Sequence, residues 1–343
     1  MSDERTYRWQ SPSNIALVKY WGKKGLQLPA NSSISFTLDA CHTDTKLSVK
    51  PSQSAPQLSV FVEGKLNDAF KPKIEQFIQR ASSRYSILSA LDLAIETSNT
   101  FPHSSGIASS ASGISALALC LCSYLQDMNQ LKGEFMQEAS ILARLGSGSA
   151  CRSVYGDLAV WGEHNDVSES NDEYAVGFDK AHSVFSDYRD TILLVHKGTK
   201  SVSSTVGHGL LDGHPFAEQR YSLAQRNLSL LLKALENGDL DQFIEIVEDE
   251  ALMLHALMMT SSPSFILMEP GTLAIIKKIR DFREQNSVPV AFTLDAGANV
   301  HVLYPAKFEE QVLNFVDKEL VSYCEGGSYL CDTVGKGPRE LTC

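Results

Sequence analysis

The run Phe101-Pro-His-Ser-Ser-Gly-Ile-Ala-Ser-Ser-Ala-Ser-Gly113 constrains the fold more than any other stretch of this chain. It lies between a strand candidate at 91–97 and an apolar stretch that reads as a long helix starting near Ala108. Small residues at a helix N-terminus leave its unpaired N–H groups uncovered, and the helix dipole favours an anion there. The same run also reads as a Ser-capped helix whose small residues serve close packing, with no ligand. No Lys follows Gly113, so this is not a Walker A loop.

Around that unit, strands and helices fall in groups. Ile34, Phe36 and Leu38 alternate, as do Leu58, Val60 and Val62, the pattern of half-buried strands. Phe70, Ile74, Phe77 and Ile78 recur at helical spacing, and a further helix covers 134–145. Residues 157–161 return to strand, and the polar, acidic stretch 163–179 reads as a surface loop before a domain boundary. Beyond it come a strand at 191–196 and helices at 217–235, 240–259 and 272–285. Strands at 288–294 and 300–304 and a last helix at 307–320 complete the chain. Grouping rather than strict alternation predicts an α+β fold, not a doubly wound sheet.

The chain has 343 residues, enough for two domains. With 30 Lys+Arg against 41 Asp+Glu, its net charge is −11. That speaks against a nucleic-acid partner, whose phosphates need neutralising. It leaves room for a small anion held by a few converging cations. No apolar run approaches the ~20 residues of a membrane span, and residues 1–10 carry no apolar core of a signal peptide. The expectation is a cytoplasmic protein with no membrane partner. Seven cysteines without CxxC spacing predict free thiols, and the nine histidines show no metal-binding spacing.

Three more segments carry chemistry. Arg144-Leu-Gly-Ser-Gly-Ser-Ala-Cys-Arg-Ser153 offers backbone amides, the hydroxyls of Ser147 and Ser149, and the Arg152 guanidinium, a set suited to a second anion. It also reads as an interhelical loop with an exposed Arg. Cys151 has no His or Asn partner in evidence and reads as an inert small residue. Lys19 falls inside the apolar stretch Asn14-Ile-Ala-Leu-Val-Lys-Tyr-Trp-Gly-Lys23, where it is either buried for a reason or snorkels from an edge strand. Asp295 ends Ala291-Phe-Thr-Leu-Asp295 at a Gly-bearing turn, a common place for Asp in any protein.

Taken together and in this order, these segments resemble the diphosphomevalonate decarboxylase family of the GHMP kinase superfamily. The similarity is carried by Asn14–Lys23, Pro29-Ala-Asn-Ser-Ser-Ile-Ser35, Ser105-Gly-Ile-Ala-Ser-Ser-Ala-Ser-Gly113, Gly146-Ser-Gly-Ser-Ala-Cys-Arg-Ser153, Val202-Ser-Ser-Thr205 and Thr293-Leu-Asp-Ala-Gly297. His103-Ser104-Ser105 and Ala298 depart from the family's usual residues.

The resemblance implies a two-domain GHMP kinase fold. Residues 1–185 would form a domain like the second domain of ribosomal protein S5, and 186–343 a ferredoxin-like domain. It implies ATP-dependent decarboxylation of (R)-5-diphosphomevalonate to isopentenyl diphosphate, with ATP and Mg2+ as cofactors and a homodimer as the assembly. Asp295, Lys19 and Arg152 would be catalytic, Arg152 gripping the substrate carboxylate with Asn14 orienting it. Tyr20, Lys23, Ser147 and Ser149 would hold the diphosphate. Gly106, Ser109, Ser110, Ser112, Ser203 and Ser204 would hold the phosphates of ATP. Metal ligands are not assigned. The alternatives are a phosphomevalonate decarboxylase, a mevalonate-type kinase, and a catalytically silent nucleotide-binding protein on the same fold.

Overall fold

The computed structural model describes residues 4–102, 107–198 and 204–343. Two sheets organise it. In the larger, Arg5–Val18 pairs with Ser33–Pro51 along nearly its whole length. The second half of Ser33–Pro51 pairs with Leu91–Asn99 and the first half with Leu158–Trp161. Leu58–Val62 lies parallel to Leu91–Asn99, the one parallel pair among the described residues. The smaller sheet runs in the order Ala291–Thr293, Val300–Tyr304, Arg189–Leu193, Tyr329–Thr333. At the C-terminal end, Arg339–Glu340 returns to the larger sheet and pairs with Trp9 and Gln10.

Helices α1 (Lys71–Ser82), α2 (Ser109–Asp127) and α3 (Phe135–Gly146) pack on the larger sheet. Phe77, Leu117 and Leu142 meet Leu47 and Ile95 of its strands in one cluster. Helix α2 is apolar all round and buried from Ile114 to Leu125, as a central helix must be. After the short α4 (Ser204–Gly209), α5 (Ala217–Asn237) and α6 (Leu240–Met259) pack Leu228, Leu231 and Phe243 against Ile15, Leu17 and Phe36 of the larger sheet. This second cluster therefore joins both halves of the chain. Helices α7 (Pro270–Asn286) and α8 (Glu309–Phe315) bury Ile275, Ile279 and Val312 on the smaller sheet with Val302.

The α+β arrangement matches the expectation, and most elements fall within a few residues of it. Two strands are shorter or shifted: 288–294 contracts to Ala291–Thr293, and 191–196 becomes Arg189–Leu193. The helix expected at 307–320 breaks into a 3-10 turn, α8 and a π turn at Val316–Leu320. The stretch 163–179 is mostly loop but carries a short strand, Ala175–Gly177, paired with Leu158–Trp161. All seven cysteines are free, five buried and two exposed. Among the described residues, no helix is long and apolar enough to cross a membrane.

Candidate active site

A cavity of ≈ 490 Å³ opens between the end of Arg5–Val18, the start of α2, the 146–152 loop and the turn after Ala291–Thr293. Its described lining carries Lys19, Lys23, Lys73 and Arg152 against a single carboxylate, Asp295. In a chain of net charge −11, that local excess of cations selects for anionic ligands.

Local backbone geometry puts Lys19 there. The ladder between Arg5–Val18 and Ser33–Pro51 shifts register between Pro12 and Asn14 and again between Ala16 and Val18. Such bulges bend a strand and re-aim its side chains. Lys19 follows the second one and is 2% exposed, so it is buried and not a snorkelling edge residue. Its Nζ donates to the Ala16 carbonyl at 2.6 Å and lies 3.5 Å from Asp295 Oδ1. Burial pulls the Lys19 ammonium below its ordinary value, and the Asp295 carboxylate opposes that pull.

Arg152 is also 2% exposed, which removes the reading as an exposed loop Arg. Its Nε donates to Ser35 Oγ (3.0 Å), one terminal nitrogen to Ser33 Oγ (2.6 Å), and the other to Asn14 Oδ1 (3.2 Å). All three partners are neutral, and burial lowers its pKa. Asn14 is fixed in turn by donating to the Ser149 carbonyl and Ser153 Oγ. A buried guanidinium whose hydrogen-bond partners among the described residues are all neutral, on the wall of a cavity, is suited to receive an anion. Cys151, next to it, has its thiol pushed up to about 12 by burial and is not a nucleophile.

Tyr20, Lys23, Ser147 and Ser149 all line the same cavity. The Tyr20 hydroxyl is buried and has no hydrogen-bond partner among the described residues. Lys23 Nζ donates to Gln27 Oε1 at 2.6 Å, and burial, with Arg80 and Lys73 nearby, lowers its pKa. Gly22 between them has φ +96, and a Cβ there would fall 2.4 Å from the Tyr221 hydroxyl, so the Tyr-Trp-Gly-Lys turn admits only glycine.

At the start of α2, Ser109 and Ser110 line the cavity. The N-cap is Ala108 at φ 45, with no side-chain cap, so the Ser-capped reading of this helix fails. Ser112 stands behind the described lining: it is fully buried and its hydroxyl pairs at 2.6 Å with Oγ1 of Thr43, which does line the cavity. Gly106 and Ser203 lie outside the described residues. Ser204 opens α4, and its side chain is not among those described.

Other wall residues carried weak sequence signals. His208 of α4 lies against the rings of Tyr20 and Trp21, with centroids at 4.3 and 4.6 Å. Its Nδ1 accepts the Gly22 N–H at 3.0 Å. A six-residue helix has no periodicity to reveal such a role. Lys73 sits on α1, whose pattern was legible only on its apolar side. Val60, Phe70, Ile74, Ile95 and Leu117 form an apolar stretch of the same cavity, and each reads in sequence simply as core.

Burial pushes His208 down to about 3, helped by Lys23 and Arg152. Between that value and the unperturbed ~6.5 the unfolded chain binds the extra proton, so this group's contribution to stability is lost as pH falls through that window. His208→Gln is therefore expected to flatten the fall of melting temperature between pH 6.5 and 4; an unchanged slope contradicts the assignment.

The fold and the cleft together define an enzyme of the two-domain GHMP kinase class. Residues 11–174 match the diphosphomevalonate decarboxylase-like N-terminal domain, and 191–337 the mevalonate 5-diphosphate decarboxylase C-terminal domain. The chain belongs to the diphosphomevalonate decarboxylase family. It is 32% identical to the diphosphomevalonate decarboxylase of Candida albicans over 90% of this chain and 86% of that one. Over 90% of this chain and 80% of the other, it is 30% identical to the enzyme of Danio rerio. Among solved structures, MDDEF in complex with MVAPP, AMPPCP and magnesium has a TM-score of 0.86 at 29% identity, covering 99% of this chain and 100% of that one. Mevalonate diphosphate decarboxylase from Staphylococcus aureus also has a TM-score of 0.86, at 28% identity, covering 99% and 98%.

Proposed function

We propose that this chain catalyses ATP-dependent decarboxylation of (R)-5-diphosphomevalonate to isopentenyl diphosphate, ADP, phosphate and CO2. The observation that carries the residue assignment is the Lys19–Asp295 pair, 3.5 Å apart, sharing one cavity with a buried Arg152 that has no carboxylate partner among the described residues. The same reading divides the chain into domains 1–185 and 186–343, with a homodimer as the assembly and the cytoplasm as the compartment.

The chemistry explains the residue types. A tertiary alcohol is a weak nucleophile and hydroxide a poor leaving group. Asp295 accepts the proton of the C3 hydroxyl as its oxygen takes the γ-phosphoryl group. Lys19, 3.5 Å from that carboxylate, faces the charge on the transferring phosphoryl group. Arg152, oriented by Asn14, Ser33 and Ser35, grips the C1 carboxylate through two parallel hydrogen bonds. When phosphate leaves C3 with its bonding pair, the C1–C2 pair becomes the new C2=C3 double bond and CO2 departs. Tyr20, Lys23, Ser147 and Ser149 hold the diphosphate at the 5-position. The start of α2, with Ser109 and Ser110, receives the ATP phosphates together with Gly106, Ser203 and Ser204, and the apolar wall of Val60, Ile95 and Leu117 suits a purine.

Among the described residues no group of three or more His, Cys, Asp or Glu is placed to hold a metal ion. With one carboxylate in the cleft, the residues fit Mg2+ carried in on the nucleotide's phosphates rather than a cage built by the protein. The chemistry such an ion would supply when bound is neutralisation of phosphate charge.

Substrate choice follows from the diphosphate end. A hydrogen bond to a charged group is worth roughly 1.5–3 kcal/mol, so removing one weakens binding about 10–150-fold. Lys23→Ala and Ser147→Ala are expected to raise KM for the diphosphate by that order and to narrow its preference over the monophosphate, with KM for ATP nearly unchanged. Steady-state kinetics with both substrates on both variants is the check. An equal loss for mono- and diphosphate contradicts the assignment.

A further inference from the structure

We propose that α6 is the spacer that sets the distance between Lys19 and Asp295, with Glu250 and His255 as its two positioning residues. This rests on the catalytic reading of that pair. Lys19 follows a strand of the larger sheet and Asp295 a strand of the smaller, 276 residues further on, so neither sheet alone fixes their separation. Helix α6 packs against both strands.

The helix touches the main chain of each partner. Glu250 Oε2 accepts the Lys19 N–H at 2.8 Å. Five residues on, His255 Nε2 lies 3.1 Å from the Asp295 carbonyl oxygen; a carbonyl only accepts, so Nε2 carries the hydrogen. Five residues of α-helix span about 7.5 Å and resist stretching. The Lys19 end is clamped further. Arg220 donates to the Lys19 carbonyl at 3.0 Å while pairing both terminal nitrogens with Glu250, at 3.0 and 2.6 Å. Asn227 Nδ2 donates to Glu250 Oε1 at 2.8 Å, and Asn31 donates to the Lys19 carbonyl at 3.0 Å. Glu250 is 0% and Arg220 2% exposed.

A buried ion pair is a poor source of net stability, since an apolar replacement of similar volume often matches it. What this one provides is a fixed main chain at Lys19. Because Glu250 and His255 contact main chain rather than the reacting groups and neither lines the cavity, loosening them should disturb the transition state and leave ground-state binding alone. A misplacement of about 1 Å at reacting groups can cost on the order of 10²-fold in rate.

The test is steady-state kinetics, per folded protein, on the full-length chain. R220M/E250L removes both charges together, so no buried charge is left unpaired. His255→Phe removes the donor; His255→Gln keeps an N–H near the same place. Expected results are a fall in kcat of about tenfold or more for R220M/E250L and His255→Phe, with both KM values within about threefold, and recovery of most activity in His255→Gln. Unchanged kcat in folded His255→Phe, a loss in His255→Gln equal to that in His255→Phe, or KM rising in step with the loss overturns the proposal. If R220M/E250L does not fold, the two His255 variants decide. Asp295→Asn belongs in the same series: if it retains turnover, the catalytic reading itself fails. If it is inactive beside a fully active His255→Phe and R220M/E250L, only the spacer fails.

Discussion

Asp295→Asn is expected to lower kcat by ~10²–10⁴-fold, the range for loss of a positioned general base, with the fold and KM for ATP little changed. The substitution is isosteric, so the effect isolates charge and basicity. An amide cannot take the hydroxyl proton. It also removes the carboxylate that lies 3.5 Å from the buried Lys19 ammonium, whose pKa is already lowered by burial and is held up chiefly by Asp295. Lys19 then loses the neighbour that does most to oppose the lowering of its pKa by burial, which weakens the positive charge proposed to face the transferring phosphoryl group. Turnover within a few-fold of the unmodified protein, in a folded variant, contradicts the assignment.

Arg152→Lys is expected to lose most activity although the charge is kept. The guanidinium is held in plane by Ser35, Ser33 and Asn14, each on a different nitrogen. An ammonium is a point charge on a flexible stem and reproduces neither that fan nor a two-point grip on a carboxylate. With hydrogen bonds to charged groups worth roughly 1.5–3 kcal/mol, the loss in kcat/KM is on the order of 10²-fold or more. The Kd for ATP is expected to stay nearly unchanged, because the role proposed for Arg152 is on the other ligand. A large rise in the ATP Kd with substrate binding intact contradicts this.

Much of the site was legible in the sequence because its residues stand out against their local pattern. Lys19 interrupts an apolar stretch, and Arg152 follows a glycine-flanked serine loop. The structure buries both and so decides between readings that sequence left open. The strand Arg5–Val18 was not legible. Its sequence carries Pro12, Ser11 and Asn14 where alternation would be sought, and it is buried on both faces from Ser11 to Val18. A proline in a central strand argues against a strand unless it sits at a bulge, which is where Pro12 lies. The end of the chain failed for another reason: periodicity does not distinguish α from π hydrogen bonding, and the 307–320 stretch changes between them.

The residues that hold the Lys19 main chain left a fainter mark. Glu250 stands four residues after Ile246 and three after Val247, and four before Leu254, all buried. A carboxylate on the apolar face of a helix is a signal that it has a buried partner. Nothing local identifies that partner as Arg220 of the preceding helix, or shows that both act on Lys19. Ser112 illustrates the reverse: its place in the loop motif suggests a phosphate contact, and nothing local foretells that its hydroxyl pairs with Thr43 of the cavity wall.

The most direct test incubates the purified chain with ATP and Mg2+ and, in parallel, mevalonate, its 5-phosphate and its 5-diphosphate, measuring ADP and CO2 in each. The account predicts ADP and CO2 in equal amounts with the diphosphate and far less of either with the other two. ADP without CO2 identifies a kinase, equal CO2 from the monophosphate identifies a phosphomevalonate decarboxylase, and neither product from any substrate identifies a silent nucleotide-binding protein; each of these results contradicts the account.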